Sequence, residues 1–452
     1  MSKKSICFIH YGIGWKDGIN TVIKSFANQI QKKDPSFKIC LLGGEIGSRF
    51  LKNAEYKKIP ALLPKKRKLS KARLEKQALN IAKKIAKATE GIKTIVIENP
   101  LMGLYHLPAM LGFSIYANQY KPKGIKVFFR IHDLYTDNPQ YFKGINDFLS
   151  LKELKDIFRG KGVDGFLIIN HILRERLIQR GAPEKKIFYL PNGVDKTIFN
   201  QKISDQESRV VRKKLKVSNK AKILLYPVRV VPRKNIEEAI LLTHFIRQLT
   251  EEEYVLIISG KIDKYDPLSK LYYRQLKELA VLADFPVIFT KKPYPLEREY
   301  NKKGKISQFS IGDIYQISEA ILMTSLREGF GYPFLESWFA DKIVIGRRIE
   351  NLISDFEKSG LDFHWLYNGF PIRAEASNQE GVQRVKSFLR IFEDSGLEKQ
   401  ILELNKERIL DQVRVLQDKE QQRQIIDGNL MRANQIYEIA EATDRFLELI
   451  GS

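Results

Sequence analysis

Short apolar runs alternate with segments of helical period along both halves of this chain, and no other feature constrains its fold so strongly. An apolar run of about four to eight residues suits a strand buried on both faces of a sheet. Residues 5–10 (SICFIH) form the first such run. Behind Asp17, apolar side chains then recur at Ile19, Val22, Ile23, Phe26 and Ile30, the spacing of one helical face. Further strands are expected at 38–42, 94–98, 126–131 and 165–169, with a helix on Leu74, Ala78, Ile81 and Ile85 between the second and third. The second half repeats the order, with strands expected at 223–227, 254–259, 286–290, 320–324 and 342–346, each with a helical segment before the next. Strands separated by helices argue for a parallel sheet covered on both faces. The fold class is therefore α/β, with two similar domains, and clefts between such domains are where ligands usually bind. The polar, strand-free stretch 200–208 (NQKISDQES) marks the linker, so the domains are expected at 1–199 and 200–429. Apolar spacing at Ile436, Ile439, Phe446, Leu447 and Ile450 predicts one last helix over 430–450.

Composition narrows the functional classes. With 452 residues, 43% hydrophobic and 11% aromatic, the chain is neither disordered nor collagen-like. No stretch approaches the roughly 20 apolar residues that span a bilayer. The run 6–9 that follows Lys3 and Lys4 is too short for a secretory signal, so a soluble, cytoplasmic protein is expected. Cys7 and Cys40 sit in strand-like segments and read as small core residues. The net charge is +24, but it is unevenly spread. Residues 1–200 hold 37 basic and 16 acidic side chains, whereas the rest is nearly balanced. Nucleic acid, an anionic membrane, an anionic small substrate or a merely Lys-rich surface would each account for a basic half.

Two motifs carry chemistry. In 326–339 (LREGFGYPFLESWF) a strand ends, a Gly-containing loop follows, and Pro333 suits a first helical turn. Glu328 then lies on a loop at the carboxyl end of a strand, and Glu336 in the helix it feeds. Backbone amides of Gly329, Phe330 and Gly331 are placed to meet an anion or a sugar hydroxyl. Carboxylates only accept, so a pair of them suits a ligand with several hydroxyls. The plainer alternative is that Glu336 complements the helix N-terminus and Glu328 caps it. In 226–235 (YPVRVVPRKN), Arg229 ends another strand and Lys234 starts the next helix. Two cations beside a helix start suit a diphosphate, although they equally fit two solvated loop cations. Hydroxyl acceptors and diphosphate donors on the strand-end loops of one sheet describe a nucleotide-sugar site.

With Arg229 and Lys234 followed by Glu328-x7-Glu336, the sequence resembles the retaining GT-B glycosyltransferases, in particular glycosyltransferase family 4. Its weaker markers are Asp17-Gly18, His132-Asp133, the run Pro191 to Asp195, Gly260 after a strand, and Asp313-Ile314-Tyr315. The resemblance implies a GT-B fold of two Rossmann-like domains, parallel sheets facing a central cleft, with 430–452 crossing back to the first. It implies that Arg229 and Lys234 hold the donor diphosphate, that Glu336 accepts from the ribose and that Glu328 contacts the transferred sugar. Gly18 would bring backbone amides near the phosphates, with Gly260, Gly329, Phe330 and Gly331 also lining the donor. His132 would lie beside the anomeric carbon. Such enzymes retain the anomeric configuration, let the departing phosphate take the acceptor proton, and generally need no bound metal; no cofactor besides the nucleotide-sugar substrate is expected.

Several positions depart from the family pattern. The first loop has Asp17-Gly18, with Gly12 and Gly14 earlier, in place of a double glycine. Asn170 stands where a serine is common, Asn235 follows Lys234 in place of glycine, and Arg347-Arg348 replaces a small-residue segment. Salt bridges to neighbouring acids are the expectation for that arginine pair. His10, Asp133 and Asn170 are candidates for the acceptor side; His106, His171, His244 and His364 lack metal-ligand spacing and read as structural. In this family the first domain receives the acceptor, so the excess charge bears on the acceptor. Its densest run, Lys65 to Lys68, continues through Lys71, Arg73 and Lys76 on a helix with an Ala-rich stripe. That stripe suits packing better than membrane insertion, which favours a solvated charged face or an anionic soluble acceptor over peripheral contact with the inner membrane face. The competing readings are a GT-B phosphorylase or epimerase, and a nucleic-acid-binding protein. No recognised nucleic-acid module is present. The stretch 291–307 reads as an insertion that covers the donor or mediates contacts.

Overall fold

The computed structural model describes residues 4–15, 17–64, 70–102, 106–134, 145–260, 267–370 and 381–451. The chain divides into two compact units, Met1–Val194 with Ile436–Ser452, and Asp195–Gln435. The first holds a seven-stranded parallel sheet: β1 (Ser5–Ile13), β2 (Lys38–Ile46), β3 (Ala54–Lys58), β4 (Thr94–Glu98), β5 (Lys126–Ile131), β6 (Gly165–Ile168) and β7 (Ile187–Tyr189), in spatial order β3-β2-β1-β4-β5-β6-β7. The second holds β8 (Lys222–Tyr226), β9 (Tyr254–Ile258), β10 (Val287–Phe289), β13 (Ala320–Met323) and β14 (Ile343–Gly346), ordered β10-β9-β8-β13-β14 and again parallel. Each order reverses once, between β1 and β4 in one sheet and between β8 and β13 in the other. At such a reversal neighbouring loops leave in opposite directions and open a crevice at the carboxyl ends of the strands.

The expected strands are present, with ends shifted by a few residues. β3 is an addition. Its sequence, AEYKK, lacks the apolar run of a buried strand because it lies at the sheet edge, where Lys57 and Lys58 discourage further pairing. Helix Gly18–Lys33 begins where expected: Asp17 accepts from the Asn20 amide at 2.8 Å, and Val22, Ile23, Phe26, Ala27 and Ile30 are buried. Helix Lys71–Ala88 is capped by Ser70 and buries Leu74, Ala78, Ile81, Ala82 and Ile85, while Lys71, Arg73 and Lys76 face solvent. Its small-residue stripe packs against helix Leu107–Ile115, where Gly112 lies beneath Ile81. The run Lys65 to Lys68 lies outside the described residues.

Two expectations need correction. The stretch 200–208 is strand-free, but Ser204 caps a helix that already begins at Asp205. The single helix expected over 430–450 is two, Lys419–Tyr437 and Ile439–Ile450. Val194 donates to the Tyr437 carbonyl at 2.7 Å and accepts from the Ile439 amide at 3.0 Å, and this bridge interrupts the helical ladder at Glu438. Glu438 then caps the last helix. That helix belongs to the first unit: Phe446 meets Phe8 and Phe26, and Asp444 pairs with Lys33. Among the described residues no helix is long and apolar enough to cross a membrane.

Candidate functional site

In the second unit the loops leaving β8 and β13, the two strands at the sheet reversal, bring the expected donor residues together. Pro232–Lys234 forms a single 3-10 turn after β8, and Leu326 donates from the β13 loop to the Arg233 carbonyl at 3.0 Å. Lys234 Nζ donates to Glu328 Oε1 in a close contact, and each side chain is only 8% exposed. Arg233 reaches the same carboxylate through Nη1 at 3.4 Å and the Arg327 carbonyl at 2.9 Å. Arg229 is exposed and close enough to Lys234 for the two charges to repel. Burial lowers the Lys234 ammonium to about 8 even though Glu328 opposes the shift. Burial alone would raise the Glu328 carboxyl, but Lys234 and Arg233 outweigh it and hold the group below its ordinary range.

Asn235 explains why a non-glycine residue serves beside Lys234. It sits at φ 50°, a left-handed conformation that asparagine tolerates, and its amide donates to Glu238 at 2.7 Å and to the Thr324 carbonyl at 3.1 Å. Helix Ile236–Thr250 thus starts with two buried carboxylates, which complement the helix N-terminus. Glu237 meets Tyr272 and, at 2.9 Å, Arg384; Glu238 meets Arg347 at 3.0 Å and Tyr367 at 2.9 Å. The Arg347-Arg348 pair therefore makes salt bridges, Arg348 to Glu350 and Glu357. Arg384 also donates to the Pro232 carbonyl at 2.6 Å, which ties helix Gly381–Glu393 to the loop carrying Lys234. Sequence reasoning missed Arg233, Glu237, Glu238, Tyr272, Tyr367 and Arg384, which are scattered over about 150 residues and meet only in the fold.

Glu336 lies on helix Tyr332–Phe339 and accepts from Tyr315 at 2.7 Å; burial raises its carboxyl to about 7 against the pull of that hydroxyl. Glu328 does not cap that helix: Gly331, at φ 74°, is its N-cap, and a Cβ there would strike Leu352 at 2.4 Å. Gly329 is exposed, and Phe330 is buried against Tyr332 and Phe356. Gly260 follows β9 with its Cα so close to the Val228 carbonyl that a Cβ would lie 1.9 Å from it. The stretch 291–307 contributes to a hairpin, β11 (Glu299–Tyr300) with β12 (Ile306–Gln308), anchored by Arg298 on Asp313.

In the first unit, three histidines gather at the carboxyl ends of β1, β4 and β5. His10 ends in hydrogen-bond reach of the Glu98 carbonyl at 3.3 Å, and His132 Nε2 lies 2.6 Å from Glu98 Oε2. His106 stacks on Tyr11 at 3.7 Å; burial and nearby His10 lower it to about 3, so it is neutral and structural. Gly18 forms the exposed first turn of helix Gly18–Lys33. Asp133 is exposed, and its amide donates to Asn99. Asn170 spends its side chain on the cap of helix His171–Gln179, accepting from Leu173 at 3.0 Å. Glu98 and Asn99 were not singled out from sequence. Among the described residues, no cluster of three or more His, Cys, Asp or Glu has the arrangement of a metal site.

No family model matches the chain. It is 27% identical over 375 residues to the mannosylglucosylglycerate synthase of Petrotoga mobilis, covering 75% of this chain and 81% of that one. Among solved structures, a glycosyltransferase from Rickettsia africae superposes with a TM-score of 0.65 at 14% identity, covering 100% of this chain and 98% of the other. The Anabaena protein HepE, bound to UDP and glucose, gives a TM-score of 0.62 at 13% identity and 99% coverage of both. The chain has the GT-B fold. Both parallel sheets, each with one reversal, belong to that fold, and the Lys234–Glu328 pair stands at the reversal of the second.

Proposed function

We propose that this protein is a glycosyltransferase that moves a hexose from a nucleotide diphosphate sugar to a hydroxyl of an acidic acceptor, with retention of anomeric configuration. The observation that carries the reading is the buried Lys234–Glu328 pair beside exposed Arg229 at the sheet reversal of a GT-B domain. Arg229 and Lys234 supply positive charge for the diphosphate, and Glu328 and Glu336 supply acceptors for hydroxyls of the sugar and ribose. A diphosphate competes with Glu328 for Lys234, which frees the carboxylate to accept from the sugar. The C1–O bond to the phosphate breaks, the acceptor oxygen bonds C1 from the same face, and its proton passes to the departing phosphate oxygen. The developing negative charge falls on Arg229 and Lys234 rather than on a metal. The product named for the Petrotoga relative contains glycerate, a carboxylic acid, and a basic first unit suits an acceptor of that kind. The reading for location is cytoplasmic.

The test is direct. Lys234→Ala and Glu328→Ala should each abolish sugar transfer while the protein stays folded by circular dichroism. Undiminished turnover in either variant contradicts the proposal. A thermal-shift screen of nucleoside diphosphates and then nucleotide sugars identifies the donor to use.

A further inference from the structure

The histidine at the end of β5 is held by more than its own strand. Glu98 and Arg130 are register partners on β4 and β5, and both side chains are 0% exposed. His132, two residues beyond Arg130, sits on the same side of the extended chain. Its Nε2 is 2.6 Å from Glu98 Oε2. Glu98 Oε1 is buried, accepts no hydrogen bond among the described residues, and has Arg130 Nη1 at 3.9 Å as its counter-charge. The next residue, Asn99, is in the left-handed region at φ 51°. Its Oδ1 accepts from the amides of His132 at 3.2 Å and Asp133 at 2.9 Å. The ring of His132 is thus fastened to the last residue of β4 and its backbone to the residue that follows.

A carboxylate accepts hydrogen bonds and cannot donate them, so the ring nitrogen facing it carries the proton. We propose that Glu98 is a positioning residue: it fixes His132 as the Nε2–H tautomer and leaves the Nδ1 lone pair to accept from a substrate hydroxyl at the strand ends. His132 Nδ1 has no hydrogen-bond partner among the described residues. An unpaired acceptor at the mouth of a sheet is where a ligand hydroxyl gains most. The same logic governs histidines oriented by carboxylates in other enzymes, where loss of the partner costs activity by letting the wrong nitrogen carry the proton. The inference rests on the transferase reading for its substrate, but not for its tautomer.

Glu98→Gln tests it. An amide can turn its NH2 towards Nε2 and so invert the tautomer without removing the side chain. In wild type, nitrogen-15 spectra of the His132 ring should show a single Nε2–H form. In Glu98→Gln the Nδ1–H form should appear, and kcat should fall at least about tenfold while affinity for the nucleoside diphosphate stays within about twofold. If Glu98→Gln does not fold, Glu98→Asp keeps the charge and withdraws it by one methylene; the single tautomer should again be lost. An Nδ1–H form in wild type, or a variant that keeps both the Nε2–H form and full turnover, overturns the proposal. If wild type transfers no sugar at all, the transferase reading fails, and the spectra still decide whether Glu98 fixes the ring.

Discussion

Burial and a neighbouring carboxylate act on Lys234 in opposite directions, and burial prevails, lowering the ammonium to about 8. A diphosphate brought beside it adds negative charge and favours the protonated form, so the bound state keeps its proton to higher pH than the free state. Above about pH 8 the affinity for a nucleotide sugar should therefore weaken, by up to about tenfold per pH unit. The diphosphate of a nucleotide sugar is esterified at both ends and has no second proton to lose in this range, and Glu336, raised to about 7, is already ionised above pH 8, which leaves Lys234 as the titrating donor-site group there. Calorimetry in two buffers of different ionisation heat should register proton uptake on binding at pH 9. Lys234→Arg keeps its charge throughout and should bind with no slope, whatever its absolute affinity. An unchanged slope in that variant would place the titration elsewhere. Lys234 and Glu328 were legible in the sequence because residue type and strand-end position suffice to nominate them. That they form a buried pair was not legible, because it depends on β8 lying beside β13 although about a hundred residues separate them.

At the level of elements, the loop after β8 is held from behind. Arg384 reaches from helix Gly381–Glu393 to Glu237 at 2.9 Å and to the Pro232 carbonyl at 2.6 Å. Burial pushes the Glu237 carboxyl up, and Arg384 and Tyr272 pull it back. Removing Arg384 leaves a carboxylate at the start of helix Ile236–Thr250 without its counter-charge, a loss of about 3–5 kcal/mol for a buried pair. Arg384→Met should lower the denaturant midpoint accordingly, and weaken nucleotide binding in the folded fraction because the Pro232–Lys234 turn loses its tie. A midpoint equal to wild type would show that the ion pair is dispensable. This contact had no sequence signal: Arg384 lies about 150 residues from its partners, in a helix whose other buried side chains are Val385, Phe388 and Ile391. The helix break at Glu438 was hidden for the same reason, since apolar spacing continues through it and only the bridge to Val194 interrupts the ladder. β3 escaped for the opposite reason: an edge strand does not need the apolar run by which buried strands are recognised.

Across the whole molecule the charge is divided more sharply than the chain. The unit Met1–Val194 with Ile436–Ser452 holds 37 basic and 19 acidic side chains, and Asp195–Gln435 holds 40 and 34. The first unit therefore carries +18 of the +24, and its cations are not spread at random. Helix Lys71–Ala88 follows a strand of the parallel sheet, so it starts at the carboxyl-end side, where ligands of such sheets bind. Its first turns expose Lys71, Arg73 and Lys76. Lys71 has Glu153 at 3.5 Å as a solvent-exposed partner, too weak to cancel the field. Exposed charges of this kind act through solvent over about 8–10 Å and are screened by salt. If they draw in an acidic acceptor, kcat/KM for that acceptor should fall severalfold between about 20 mM and about 500 mM salt, while kcat stays level. A neutral acceptor analogue should show no such slope. Reversing the three cations together (Lys71→Glu, Arg73→Glu, Lys76→Glu) should flatten the slope for the acidic acceptor without touching donor affinity, because Arg229, Lys234, Glu328 and Glu336 lie in the other unit. A membrane role makes the opposite demand: the triple variant would then lose binding to anionic vesicles and keep its salt slope with a soluble acceptor.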